Sequence, residues 1–127
     1  MKEKLTSPNV YKPVGPYSQA IRYQDRLYIS GLIGLDQNGV ILPGGIKEET
    51  SQILYYLDQI LAEAGLTKEN LLHVRVYLTD LANFDIFNQL YATYLGDCIP
   101  PTRECIQVSR LPKNASIEIV AEAASLS

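Results

Sequence analysis

Apolar and polar positions alternate in two stretches near the C-terminus, and the rest of the chain is read around them. In Pro101-Thr102-Arg103-Glu104-Cys105-Ile106-Gln107-Val108, Arg103, Cys105 and Gln107 share one face of a strand. Glu104, Ile106 and Val108 share the other, because side chains alternate with period two. In the stretch Ile117 to Ala121, Ile117, Ile119 and Ala121 oppose Glu118 and Val120. The turn-rich Leu111-Pro112-Lys113-Asn114 between them predicts an antiparallel hairpin. With both aliphatic faces turned to the core, Arg103, Cys105 and Glu118 meet on the opposite sheet surface. The plainest reading of that grouping is an Arg–Glu pair on a solvated face, of little energetic weight.

Residues 1–12 read as polar and irregular, with Pro8 and Pro13 as breakers. Gly15-Pro16-Tyr17-Ser18-Gln19-Ala20 opens a strand running to about Tyr23, Gln24-Asp25 forms the turn, and Arg26 to Ile33 is the β-rich return strand. Leu27, Ile29, Gly31 and Ile33 alternate there with Tyr28, Ser30 and Leu32. Gly31 marks either a bulge or a close backbone approach to a ligand. Asp36-Gln37-Asn38-Gly39 is a turn, and Val40-Ile41-Leu42 predicts a short third strand.

From about Lys47 to Ala64 the period becomes helical: Thr50, Ile53, Leu54, Leu57, Ile60, Leu61 and Ala64 form one buried stripe. Glu48 and Glu49 suit its positive end, and Gly65 its left-handed cap. Leu72, Val74, Val76 and Leu78 predict the aliphatic face of a further strand, with His73, Arg75 and Tyr77 on its mixed face. Lone His73 reads as a hydrogen-bonded packing residue. Asn83 caps a second helix over residues 84–95. Phe84, Phe87, Tyr91 and Tyr94 line one side of that helix as core, and Asn88 falls off this stripe onto the exposed side.

Strand, strand, short strand, helix, strand, helix, strand, strand is the predicted order, in a single domain over residues 1–127. Two amphipathic helices cover one face of such a sheet, which predicts a two-layer α+β sandwich on a mixed β-sheet. The uncovered face, given Tyr28, Ser30, Leu32, His73, Arg75, Tyr77, Arg103, Cys105, Gln107, Glu118 and Val120, is too apolar for water and too polar for a dry core. A subunit interface with polar pockets fits that mixture, and closed cyclic association is its usual form.

Composition narrows the function classes. The 127 residues are 46% hydrophobic and 20% charged, as expected of a globular domain, and the net charge of −3 supplies no basic footprint for nucleic acid. No apolar run approaches a membrane span of about 20 residues. Residues 1–8 have no hydrophobic core, so no secretory leader is expected, and a cytoplasmic protein with reduced Cys98 and Cys105 is. One histidine and no Cys/His cluster predict no zinc site.

Several short pieces, by their order and spacing, resemble the RidA (YjgF) family of reactive-intermediate deaminases. They are Gly15-Pro16-Tyr17-Ser18-Gln19-Ala20, Ser30-Gly31, Ala64-Gly65-Leu66, Val76-Tyr77-Leu78-Thr79-Asp80-Leu81, Asn88-Gln89-Leu90-Tyr91, Pro101-Thr102-Arg103-Glu104-Cys105, and Leu111-Pro112-Lys113 followed by Ile117-Glu118-Ile119. The resemblance runs from Gly15 to Ala123. It implies a fold like bacillus-type chorismate mutase, assembled as a homotrimer with clefts between subunits. It also implies hydrolysis of 2-imino acids such as 2-iminopropanoate and 2-iminobutanoate to 2-keto acids and ammonia. On it, Arg103 clamps the substrate carboxylate, for which a planar fork suits two parallel hydrogen bonds. Glu118 positions water, and Tyr17, Ser30, Gly31, Asn88 and Cys105 line the cleft. The chain departs from the family at Leu32, where Gln is frequent, at Glu49, where Gln is usual, and at Val120, where a second acid is common.

The implied chemistry needs no cofactor, because a protonated imine is already electrophilic. Arg103 stays charged and carries no proton, and Cys105, with no activating base in sequence, reads as a packing or hydrogen-bonding thiol. Two other readings share the cleft. One is a non-enzymatic small-carboxylate-binding regulatory protein, which gains little from Glu118. The other is an RNA-acting translation inhibitor, against which the acidic balance speaks.

Overall fold

The two helical stripes lie on one face of a six-stranded mixed sheet. The computed structural model describes residues 1–126. In chain order the elements are β1 Glu3–Leu5, β2 Ala20–Tyr23, β3 Arg26–Leu32, α1 Ile46–Glu63, β4 Leu71–Leu78, α2 Phe84–Leu95, β5 Thr102–Gln107 and β6 Ile117–Ala124. Among the described residues no helix is long and apolar enough to cross a membrane.

α1 buries every residue of its predicted stripe. Glu49 does more than face the helix's positive end: it is buried, and its Oε1 accepts the Ser116 backbone N–H at 2.7 Å, tying α1 to the entry of β6. Gly65 at φ 73° lets Leu66 N–H close back on the Leu61 carbonyl at 2.8 Å, satisfying the end of the helix. α2 spans the predicted residues, but Asn83 makes no capping bond through its side chain. A short 3₁₀ turn, Leu81–Asn83, precedes the helix, and Asp80 Oδ1 caps it by accepting Ala82 N–H at 2.9 Å.

The sheet order is β1-β2-β3-β6-β4-β5. The predicted hairpin of β5 with β6 does not form. β4 lies between them, parallel to β5 and antiparallel to β6. Period-two alternation fixes faces but not partners. β4, almost wholly aliphatic on its core side, takes a neighbour on each edge. α2 supplies the long crossover that a parallel β4–β5 pair requires. The connection from β5 to β6 then crosses the end of β4, held by Val108 N–H to the Leu78 carbonyl at 2.8 Å and Thr79 N–H to the Ser116 carbonyl at 3.1 Å.

Other expectations shift with this topology. The N-terminus is not wholly irregular: β1 pairs antiparallel with β2, and Val10 and Tyr11 enter the core. Residues 15–19 are loop, and β2 begins only at Ala20. Val40–Leu42 contributes one bridge, Leu35 to Ile41, rather than a strand. The register of β3 against β6 slips between Ile29 and Leu32. This bulge rotates Leu32 off the open face, where alternation had put it, and into the core beside Ile119. A second slip between Leu71 and His73 buries Leu71 and leaves the expected core residue Leu72 exposed.

Candidate functional site

Strand register decides which functional side chains meet. Val74 pairs with Arg103 and Ala121, and Val76 with Cys105 and Ile119, so Arg103 and Cys105 share the helix-covered face. Tyr77 pairs with Ile106 and Glu118, which places Glu118 on the open face. The expected meeting of Arg103, Cys105 and Glu118 on one surface therefore does not occur within the chain, nor does an Arg103–Glu118 ion pair. The assumption that failed was that Ile106 turns to the core. β5 is an edge strand, Ile106 stays exposed, and the strand's helix side is roofed at its rim by α2.

The first group of residues surrounds Glu118. A cavity of about 300 Å³ is lined by Glu118 with Tyr11, Tyr17, Ser30, Gly31 and Pro112, among others. The β3 bulge builds its floor. A β-carbon on Gly31 would stand 2.7 Å from Glu118 Cδ and Oε2, so the glycine is both bulge and close approach, with the chain's own carboxylate as the approaching group. Ser30 Oγ donates to the Ser18 carbonyl at 2.6 Å, which leaves its lone pairs to accept. Tyr17 is exposed, and its hydroxyl accepts Val14 N–H at 3.2 Å. Burial raises the Glu118 carboxyl above the ordinary range. No cation pairs with it among the described residues.

Tyr11 completes this wall and carried no sequence signal, lying in an aperiodic, Pro-bounded stretch. Its ring packs edge-on against Tyr56 at 5.3 Å, and its hydroxyl accepts Ile33 N–H at 3.0 Å. Burial pushes its pKa up to about 12, so the phenol keeps its proton.

The second group surrounds Arg103. The guanidinium carbon lies 5.6, 5.5 and 5.3 Å from the ring centroids of Phe84, Phe87 and Tyr91. Nη1 donates to Asn88 Oδ1 at 2.8 Å. The aromatic stripe of α2 is thus core on one side and the seat of a cation on the other. Asn88 is half-buried and orients Arg103 rather than facing solvent. A cavity of about 570 Å³ opens here, lined by Asn88, Tyr91, Leu95, Pro100, Pro101 and Arg103, among others. Tyr91 Oη is buried without a hydrogen-bond partner, and burial raises its pKa to about 12. Cys105 packs on the core, and burial raises its thiol pKa against the smaller opposing effect of Arg103, which disfavours a thiolate nucleophile.

The rest of the open face is a polar ladder. Glu104 Oε1 accepts from Arg75 Nε at 3.1 Å and lies 3.4 Å from His73 Nε2, while His73 Nδ1 lies 2.7 Å from Thr102 Oγ1. Arg75 is thereby engaged, whereas Arg103 meets no carboxylate among the described residues. Nor does any group of His, Cys, Asp and Glu among them suit a metal ion.

Comparison with known proteins gives a consistent set of likenesses. The family model described as Endoribonuclease L-PSP matches residues 7–125. A RutC family protein of Pyrococcus horikoshii is 44% identical over 122 residues, 95% of this chain and 96% of that protein. The mouse 2-iminobutanoate/2-iminopropanoate deaminase is 40% identical over 122 residues, 95% of this chain and 90% of that one. A Rid-family protein of unknown function from Yersinia pestis superposes with a TM-score of 0.95 at 34% identity, over 98% of this chain and 100% of that one.

Proposed function

The chain belongs to the RutC/Rid family, and from that premise we propose that it hydrolyses small 2-imino acids, 2-iminopropanoate and 2-iminobutanoate among them, to 2-keto acids and ammonia. The observation that carries this reading is complementary charge left without a partner. Arg103 is a half-buried guanidinium held by a neutral amide and three rings. Glu118 is a partly buried carboxylate beside a cavity, with no cation against it. A substrate that brings a carboxylate for one and an electrophilic carbon for the other suits both.

Arg103 receives the substrate carboxylate on its fork, and Asn88 fixes the plane of that fork. Water held at Glu118 adds to the carbon of the protonated C=N bond and passes a proton to the carboxylate. The C–N bond of the resulting carbinolamine then breaks as Glu118 returns the proton to nitrogen; ammonia leaves, and the hydroxyl gives its proton back to the Glu118 carboxylate as the C=O of the keto acid forms. Burial raises the pKa of this carboxyl, so it takes and holds a proton more readily than an exposed one, as both transfers require. Tyr17, Ser30 and Gly31 frame the water side, and Cys105 supports Arg103 from the core.

Within one chain the two groups occupy opposite faces of the sheet. The proposed cleft is therefore built from two copies, with Arg103 of one facing Glu118 of the next, in a closed homotrimer. The open face, where Ile21, Tyr28, Tyr77, Ile106 and Val120 stand among Glu104, Glu118 and Glu122, is a surface of the composition that such an assembly covers. A purely carboxylate-binding protein gains little from Glu118 beside its ligand, and a net charge of −3 supplies no basic footprint for RNA. The test is a coupled assay in which a dehydratase generates the imine and its loss is followed with and without the protein. Faster loss supports hydrolysis, and an unchanged rate refutes it.

A further inference from the structure

The Glu118 cavity has a larger neighbour. A cavity of about 630 Å³ lies between the N-terminal arm and the Pro112–Asn114 turn, and it shares Tyr11 and Val14 with the smaller one. Pro112 lines the smaller cavity and the next residue, Lys113, the larger. Among the described residues, the charged lining of the larger cavity is of one sign, beside neutral hydroxyls and amides. Lys12 and Lys113 bring ammonium groups, Gln19 and Gln37 bring amides, and no Asp or Glu lines it. In a chain of net charge −3 this is a local inversion of sign.

The walls are fixed before any ligand arrives. Lys113 sits at φ 60°, ψ 20°, a left-handed conformation that a β-carbon disfavours, and Asn114 follows at φ 56°. Asn114 N–H to the Leu111 carbonyl at 3.2 Å and Arg110 Nη2 to Asn114 Oδ1 at 2.7 Å hold that turn. Backbone strain kept in place at a cavity rim is a mark of functional sites. Across the cavity, buried Gln19 accepts Ser7 N–H at 2.8 Å and donates to the Ser7 and Tyr11 carbonyls at 3.3 Å each. Gln37 Nε2 donates to the Asn9 carbonyl at 2.7 Å, pinning the arm from its other side.

We propose that this second cavity is the side-chain compartment of the substrate site and takes a side chain ending in a carboxylate, so that the substrates include 2-imino dicarboxylates. The inference rests on the imine-hydrolysis reading. The reacting carbon stays beside Glu118, the α-carboxylate goes to Arg103, and the distal carboxylate passes Tyr11 and Val14 to lie between Lys12 and Lys113. Ammonium groups on flexible stems follow a carboxylate at varied reach, as a rigid fork does not. The reaction is unchanged: water adds to the C=N carbon, the C–N bond breaks, and a 2-keto dicarboxylate and ammonia leave, with no oxidant or reductant consumed.

The experiment generates imines from alanine and from glutamate with amino-acid oxidases and follows their loss by semicarbazide trapping. It compares the wild-type chain with Lys12→Gln and Lys113→Asn, the latter because asparagine accepts the left-handed backbone. The expected result is a fall of roughly tenfold in kcat/KM for the glutamate-derived imine, as for a lost charged contact, with that for the alanine-derived imine within about twofold of wild type. Equal effects on both imines, or none on either, overturn the compartment. Hydrolysis of neither imine by the wild type removes the deaminase reading instead. Calorimetric binding of 2-ketoglutarate against pyruvate then decides the compartment: a lysine-dependent preference for the dicarboxylate supports it, and equal binding overturns it.

Discussion

The guanidinium of Arg103 rests on three rings and one amide, and a lysine there keeps the charge but neither the fork nor the stacking. Arg103→Lys is expected to weaken pyruvate binding by about 1.5–3 kcal/mol, the scale of a lost charge-assisted contact, and Arg103→Ala to abolish imine hydrolysis. Arg75→Ala, which removes an exposed pairing with Glu104, should leave binding nearly unaltered. Calorimetry on the three variants checks the set. Glu118 carries a second prediction with two readouts. Glu118→Gln should slow hydrolysis on the order of 100- to 10,000-fold. Because the folded pKa of Glu118 lies above the free value, the stability linked to this group is complete below the ordinary carboxyl range. It is lost as pH rises through the raised value. Glu118→Gln removes that loss, so as pH rises from below the ordinary carboxyl range its melting temperature should fall less than that of wild type.

At the scale of elements, the β3 bulge shapes the Glu118 cavity, since Gly31 leaves the carboxylate the space that a β-carbon would fill. Gly31→Ala puts a methyl group 2.7 Å from the Glu118 carboxyl and should destabilise by about 1–3 kcal/mol, as overpacking does. Most of that loss should vanish in a Glu118→Ala background, which a double-mutant cycle by denaturant unfolding measures. The glycine was legible in the sequence as a bulge or a close approach, but its partner was not, because alternation says nothing of register. Helical periodicity was more informative. The stripe from Thr50 to Ala64 and the span of α2 follow from spacing alone, since the contacts that define a helix are local. β5 was misread for the opposite reason. Its alternation left open which face is buried, and only the parallel pairing with β4 decides that Arg103 and Cys105 look toward α2.

For the whole molecule, the proposed reaction makes assembly a condition of activity, because Arg103 and Glu118 lie on opposite faces of the sheet within one chain. Light scattering should give about three times the chain mass of 14.2 kDa. The sequence suggested an interface from a face too apolar for water and too polar for a core, and Tyr28, Tyr77 and Val120 do stand on that open face. It could not show that Arg103 lies on the other side. The measurement that bears most directly on a site shared between copies is complementation. Arg103→Ala and Glu118→Gln chains, each inactive alone, are unfolded, mixed in equal amounts and refolded together. In a closed ring of three, every mixed ring contains one cleft with both native groups, so about one quarter of wild-type deaminase activity should return. Mixed trimers that form, verified by a mass tag on one chain, and yet recover no activity would contradict a cleft built from Arg103 of one copy and Glu118 of the next.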